Sequence, residues 1–135
     1  MSQDFSTDRR KVEGLGSSHK GAGMWVKERV SSILLLPLTV WGLWTVTQVE
    51  GFGYDQLVRW LRLATLNPVL LILLVVLSVY HMHLGLRVVV EDYIHRPASK
   101  GALLLLNLAI CLLVAAAAVV SILKVAFAGD IGVSI

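Results

Sequence analysis

The chain has 135 residues, of which 56% are hydrophobic and only 16% charged, with a formal net charge of +3 and a mean hydropathy of +0.75. Such a composition excludes a water-soluble globular domain and leaves room for about three helical crossings at ~20 residues each. One cysteine, Cys111, stands in an apolar run without Cys or His at metal-ligand spacing, which excludes a disulfide framework, a zinc site and a cysteine-ligated iron-sulfur cluster within this chain. The expected class is all-α, an integral membrane protein with three transmembrane helices and a short interfacial helix, and with no nucleic-acid partner.

Residues 1–29 form an N-terminal segment that is polar and mixed in charge, and Met1 to Ser18 holds no apolar block that could serve as the core of a secretory signal. That segment is expected to remain uncleaved. The membrane domain then covers 30–128, with crossings at about 30–49, 68–92 and 102–126, and a short C-terminal tail at 129–135. Val30 to Val49 carries no charge and includes Pro37, which should kink the helix unless a neighbour accommodates it. Between Asp55 and Ala64, the residues Leu57, Trp60, Leu61 and Ala64 recur at helical spacing around Arg59 and Arg62, a pattern that suits a helix lying flat at the interface.

Asn67-Pro68 reads as a helix start, an N-cap followed by proline at the first position, and the apolar pattern continues from Val69 to Val90. Arg96-Pro97-Ala98-Ser99-Lys100-Gly101 interrupts it. Ala102 to Leu123 is again uncharged, with only Asn107 and Ser121 polar, and the small residues Ala115 to Ala118 offer close approach to a partner or to another crossing. Arg9, Arg10, Lys11, Lys20, Lys27 and Arg29 precede the first crossing, and Arg96 and Lys100 follow the second. Arg59, Arg62 and Lys124 are left for the opposite side. This bias places the N-terminus and the Glu91 to Lys100 loop in the cytoplasm.

The chemistry falls on the second crossing. His81 and His83 lie in the uncharged stretch from Leu63 to Leu86, and an ionisable side chain at bilayer depth is a functional site by default. Neutral imidazole there needs a partner: a haem iron, with the second ring nitrogen given to an outer acceptor, or a hydrogen bond to a neighbouring helix. Gly85, about 40° from His81 on a ~100° helical wheel, would leave room for a flat macrocycle, whereas His83 points about 160° away and cannot share it. Asp92 and Tyr93 follow at the helix end. A tyrosine hydroxyl there suits a quinone carbonyl, and it equally suits an interfacial aromatic belt supported by i,i+4 pairs of Arg87 with Glu91, Glu91 with His95 and Asp92 with Arg96.

The run His81-Met82-His83-Leu84-Gly85-Leu86, followed by Val88-Val89-Val90-Glu91-Asp92-Tyr93-Ile94-His95, resembles the second transmembrane helix of the small hydrophobic membrane anchor of bacterial succinate dehydrogenases. Gly21-Ala22-Gly23-Met24-Trp25-Val26-Lys27-Glu28-Arg29 is similar to that family's approach to an arginine before the first helix, although Met24 stands where many relatives carry histidine. The resemblance, from about Gly21 to the end of the third crossing, implies a bacterial cytoplasmic-membrane complex. In it a flavoprotein with FAD oxidises succinate, an iron-sulfur subunit carries the electrons, and two membrane anchors hold haem b and ubiquinone. It implies that His81 is the axial haem iron ligand from this chain, opposite a histidine of the sister anchor. Tyr93 would bond a ubiquinone carbonyl with Asp92 in support, and Arg29 would meet a haem propionate or serve as a positive-inside anchor. The succinate site would lie elsewhere. The rival readings are a fumarate reductase anchor and a small transporter component with the histidines as a proton relay.

Overall fold

A computed structural model describes residues 21–49, 51 and 53–127 of the chain, so the polar segment before Gly21 and the tail after Phe127 lie outside the described residues. Four helices follow one another: α1 at Gly21–Gln48, α2 at Tyr54–Leu63, α3 at Leu66–Tyr93 and α4 at Pro97–Phe127. Three of them, α1, α3 and α4, are long and apolar enough to cross a membrane. With 28, 28 and 31 residues, they reach over 40 Å at ~1.5 Å per residue, beyond a hydrocarbon layer of about 30 Å. Their ends therefore extend into the headgroup region. Helix is what uncharged runs of this length must form in oil, since each backbone donor and acceptor has to be satisfied within its own segment.

The helix boundaries differ from the sequence pattern in instructive ways. The first crossing begins about nine residues before Val30 and carries the charged turn of Lys27, Glu28 and Arg29 into the helix. It runs unbroken through Pro37, which removes only the one donor that would have met the Ile33 carbonyl. Gly51, at φ +87°, turns the chain in the left-handed region that glycine occupies freely. Asn67 is not the N-cap of α3. The helix starts at Leu66, and the Asn67 amide Nδ2 reaches back to donate to the Trp60 carbonyl at 2.6 Å, so it satisfies the last turn of α2 instead. Pro68 still falls in the first turn, where a missing N–H costs nothing. At the other end the chain does break after the second crossing, where α3 ends at Tyr93, and the third crossing opens at Pro97, five residues before Ala102.

Helix α3 is the centre of the chain. It contacts α1, α2 and α4, whereas α1 and α4 do not contact each other among the described residues. Ser31 of α1 faces His81, and Gly42, further along α1, faces Leu74, earlier on α3, so these helices are antiparallel. Lys100 and Asn107 of α4 bond Glu91 and His83 in the same reversed order. The short α2 closes the opposite end: Leu61 is buried, the Trp60 ring lies 6.1 Å from that of Trp41, and the Arg62 guanidinium donates to the Val125 carbonyl from Nε at 3.1 Å and Nη2 at 2.9 Å. That contact caps an unpaired carbonyl and sets a cation at the negative end of α4. Leu57 is largely exposed and Ala64 falls just past the helix, so the buried face of α2 is narrower than its spacing suggests.

The interior is thin. Among the described residues only Leu61, Leu84, Cys111, Ser31 and Asn107 are buried, while Ile33, Leu36, Leu43, Trp44, Leu105 and Leu113 are each more than 60% exposed. An apolar surface of that extent is one that lipid or other subunits cover. Helices hold together here by close approach and a few polar bonds. At Gly42 a Cβ would lie 3.1 Å from Leu74 Cδ2, so a bulky side chain there must push α1 off α3. Gly42→Leu is expected to cost ~1–3 kcal/mol through overpacking and to lower the thermal unfolding midpoint in detergent. An unchanged midpoint would show that α1 is free to move.

Candidate functional site

His81 faces α1. Its Nδ1 lies 2.9 Å from Ser31 Oγ, and Ser31, only 2% exposed, also lies 2.9 Å from the Glu28 carbonyl. The Ser31 hydroxyl has one proton for two neighbours, of which the Glu28 carbonyl can only accept. With that proton on Glu28 O, Ser31 is an acceptor for His81, and His81 is then the Nδ1–H tautomer with its lone pair on Nε2. An imidazole held through one ring nitrogen has its other nitrogen available as a donor.

His83 faces α4 and has the opposite arrangement. The Asn107 Nδ2 lies 3.1 Å from both His83 Nδ1 and the His83 carbonyl, and the Cys111 thiol donates to Asn107 Oδ1 at 3.4 Å. With the amide oxygen taken by the thiol, Nδ2 donates both of its protons, so His83 Nδ1 is the acceptor and Nε2 carries the proton. The two histidines thus present different atoms: a lone pair from His81 and an N–H from His83. The angular separation expected from the wheel is realised as two flanking helices. Cys111, expected as a small buried hydrophobe, is buried and in addition a weak donor. Ala115 lines the groove between α3 and α4 with Val76, Val79, Tyr80 and His83, so part of the small-residue stretch is used inside the chain.

Gly85, one turn beyond His81, has open space beside it, since a Cβ there would meet no atom within 4 Å. Asp92 and Tyr93 close α3 about 16 to 18 Å from His81 along the axis, at ~1.5 Å per residue. Both are exposed, Tyr93 at 76%, and neither has a side-chain hydrogen bond with another described residue. Of the expected i,i+4 pairs, Arg87 with Glu91 forms at 2.8 Å. The other two do not, because α3 ends at Tyr93 and Ile94 is extended. Arg29 lies with its guanidinium 5.3 Å from the Trp25 ring centre, two residues from Ser31. Among the described residues no three His, Cys, Asp or Glu side chains gather as a metal site.

A family model described as the succinate dehydrogenase/fumarate reductase transmembrane subunit matches residues 4–121. The chain belongs to this family. Within it, the chain is similar to the succinate dehydrogenase hydrophobic membrane anchor subunits of Rickettsia conorii and Rickettsia typhi. Each is 30% identical over 122 residues, covering 90% of this chain and 97% of the relative. The corresponding subunit of Paracoccus denitrificans is 27% identical over 100 residues, covering 74% of this chain and 77% of the relative. No solved structure matches.

As a transmembrane subunit of this family the chain has one site residue that sequence reasoning does not supply, Ser31. It stands beside Ser32 in an apolar helix, so its polarity is visible. Its alignment with His81 across fifty residues is not, because helix register is set by contacts between α1 and α3. Asn107 is visible as a lone polar residue, again without its partner. Asn107→Leu leaves a ring nitrogen and a thiol unpaired, and it is expected to cost ~1–3 kcal/mol, read as a lower unfolding midpoint of the purified membrane protein. Retention of the wild-type midpoint would mean that α4 is held to α3 without this bond.

Proposed function

We propose that this chain is the small hydrophobic anchor of a succinate:quinone oxidoreductase. In this reading it contributes an axial haem b ligand and part of the ubiquinone site, and it passes electrons from the iron-sulfur subunit to quinone. The observation that carries the reading is the bond between His81 Nδ1 and Ser31, which leaves the Nε2 lone pair as the free valence of an imidazole at membrane depth. Gly85 adds clearance on the same side. The names of the Rickettsia and Paracoccus relatives support succinate dehydrogenase over fumarate reductase. Haem b, when bound, takes up and returns single electrons.

The other roles follow from position. Tyr93 keeps its hydroxyl exposed at the end of α3, where it can donate to a quinone carbonyl in a pocket that partner subunits complete. Asp92 beside it supports that hydroxyl or the proton that quinone reduction requires. Arg29 sits at the same end as Tyr93 and retains donors at the edge of its guanidinium for a haem propionate while its face rests on Trp25. The partners are a flavoprotein subunit with FAD, an iron-sulfur subunit and a sister anchor whose histidine takes the far side of the iron. None of the succinate chemistry is placed in this chain.

The helix arrangement gathers Lys27, Arg29, Arg87, Arg96 and Lys100 at one end and leaves Arg59, Arg62 and Lys124 at the other. With Arg9, Arg10, Lys11 and Lys20 counted on the first side, the positive-inside rule orients that end to the cytoplasm of a bacterial inner membrane. The iron-sulfur subunit then docks near Tyr93. A proton relay through the histidines is disfavoured, since His81 and His83 point to different helices and share no hydrogen-bond path among the described residues.

His81→Ala in the assembled complex is expected to abolish or alter the reduced-minus-oxidised haem spectrum, while His83→Ala leaves its band positions in place. The reverse pattern moves the ligand to the α4 face. Tyr93→Phe is expected to lower succinate-driven quinone reduction by about tenfold, in line with a lost bond of about 1.5 kcal/mol. Succinate oxidation with an artificial acceptor should be unaffected. Equal quinone rates for Tyr93→Phe and wild type remove Tyr93 from the site.

A further inference from the structure

The ligand reading leaves open what holds the imidazole at one angle and in one protonation state inside a helix pair with almost no buried side chains. Ser31 is the most buried of the five buried residues described, at 2% exposure, and it touches the site through a single atom. Its oxygen lies 2.9 Å from both the Glu28 carbonyl and His81 Nδ1, and with its proton turned to the carbonyl it presents a lone pair to the ring. The hydroxyl is anchored in α1 and the ring is anchored in α3, so the bond fixes the helix pair and the ring orientation at once. The next residue supplies an internal comparison. Ser32 donates to the same Glu28 carbonyl at 2.8 Å and makes no bond to His81.

We propose that Ser31 is the positioning residue for His81, holding the Nδ1–H tautomer and enriching the electron density on Nε2. The proposal rests on His81 being the haem ligand. An acceptor on Nδ1–H gives the imidazole partial imidazolate character and makes Nε2 a stronger donor to iron. A stronger donor stabilises the ferric more than the ferrous state, and so holds the haem potential down. Without the Ser31 oxygen, Nδ1–H has no acceptor in an apolar environment. The ring then rotates to find one or exchanges tautomer, and either change weakens the bond from Nε2.

The test uses the complete membrane complex. Ser31→Ala is expected to shift the haem midpoint potential to more positive values and to broaden the low-spin ferric signal in electron paramagnetic resonance. Ser31→Thr, which keeps a hydroxyl on the same carbon, should return both toward wild type. Ser32→Ala removes a neighbouring hydroxyl bond without touching His81 and should leave both unchanged. Three results overturn the proposal alone, provided that haem is present and is lost with His81→Ala: no shift in Ser31→Ala, an equal shift in Ser32→Ala, or no recovery in Ser31→Thr. A complex without haem, or one whose haem survives His81→Ala, overturns the ligand assignment and this proposal together.

Discussion

An imidazole cannot lie unpaired in oil, and the arrangement of this chain follows from how two of them are satisfied. His81 bonds to Ser31 on one neighbouring helix and His83 bonds to Asn107 on the other, so the central helix is fastened on two sides at nearly the same depth. Desolvating a polar group without a partner costs more than most apolar contacts return, so these bonds fix which faces meet. The polar members of the interface, Ser31 and Asn107, are accordingly among the few buried residues, while many leucines and valines lie outside. This inverts the pattern of a soluble core. In a membrane, lipid solvates leucine as well as another helix does, and polar bonds and small residues decide where helices touch.

The two bonds are also chemically unequal. Ser31 can offer His81 only an acceptor, because its proton is used on Glu28, and Asn107 can offer His83 only donors, because its oxygen is used by Cys111. Identical side chains two residues apart thus meet different chemistry, a hydroxyl at His81 and an amide at His83. One ring presents a lone pair at Nε2 and the other an N–H.

The chain does not make a closed bundle. Its flanking helices do not meet among the described residues, its aromatic and branched side chains face outward, and Asp92 and Tyr93 stand exposed at the end of the central helix. Burial of so little surface cannot offset the entropy of ordering these segments by contacts within the chain alone. The remaining stabilisation has to come from the bilayer and from other subunits.

Much of this is legible in the residues. Uncharged runs dictate three crossings, because oil permits only internally bonded helices, and the order of His81, Gly85, Asp92 and Tyr93 carries the family resemblance, because a helix converts spacing into direction. A local signal misleads where a side chain can serve either neighbour: Asn67 caps α2 and not α3. The partners of the histidines cannot be read at all. Sequence determined the number and order of the apolar helices and the separate faces of His81 and His83, which depend on solvent and on periodicity along one chain. Only the tertiary structure decided that Ser31 lies opposite His81 and Asn107 opposite His83, because the sliding and rotation of one helix against another depend on side-chain contacts between distant segments that no local pattern records.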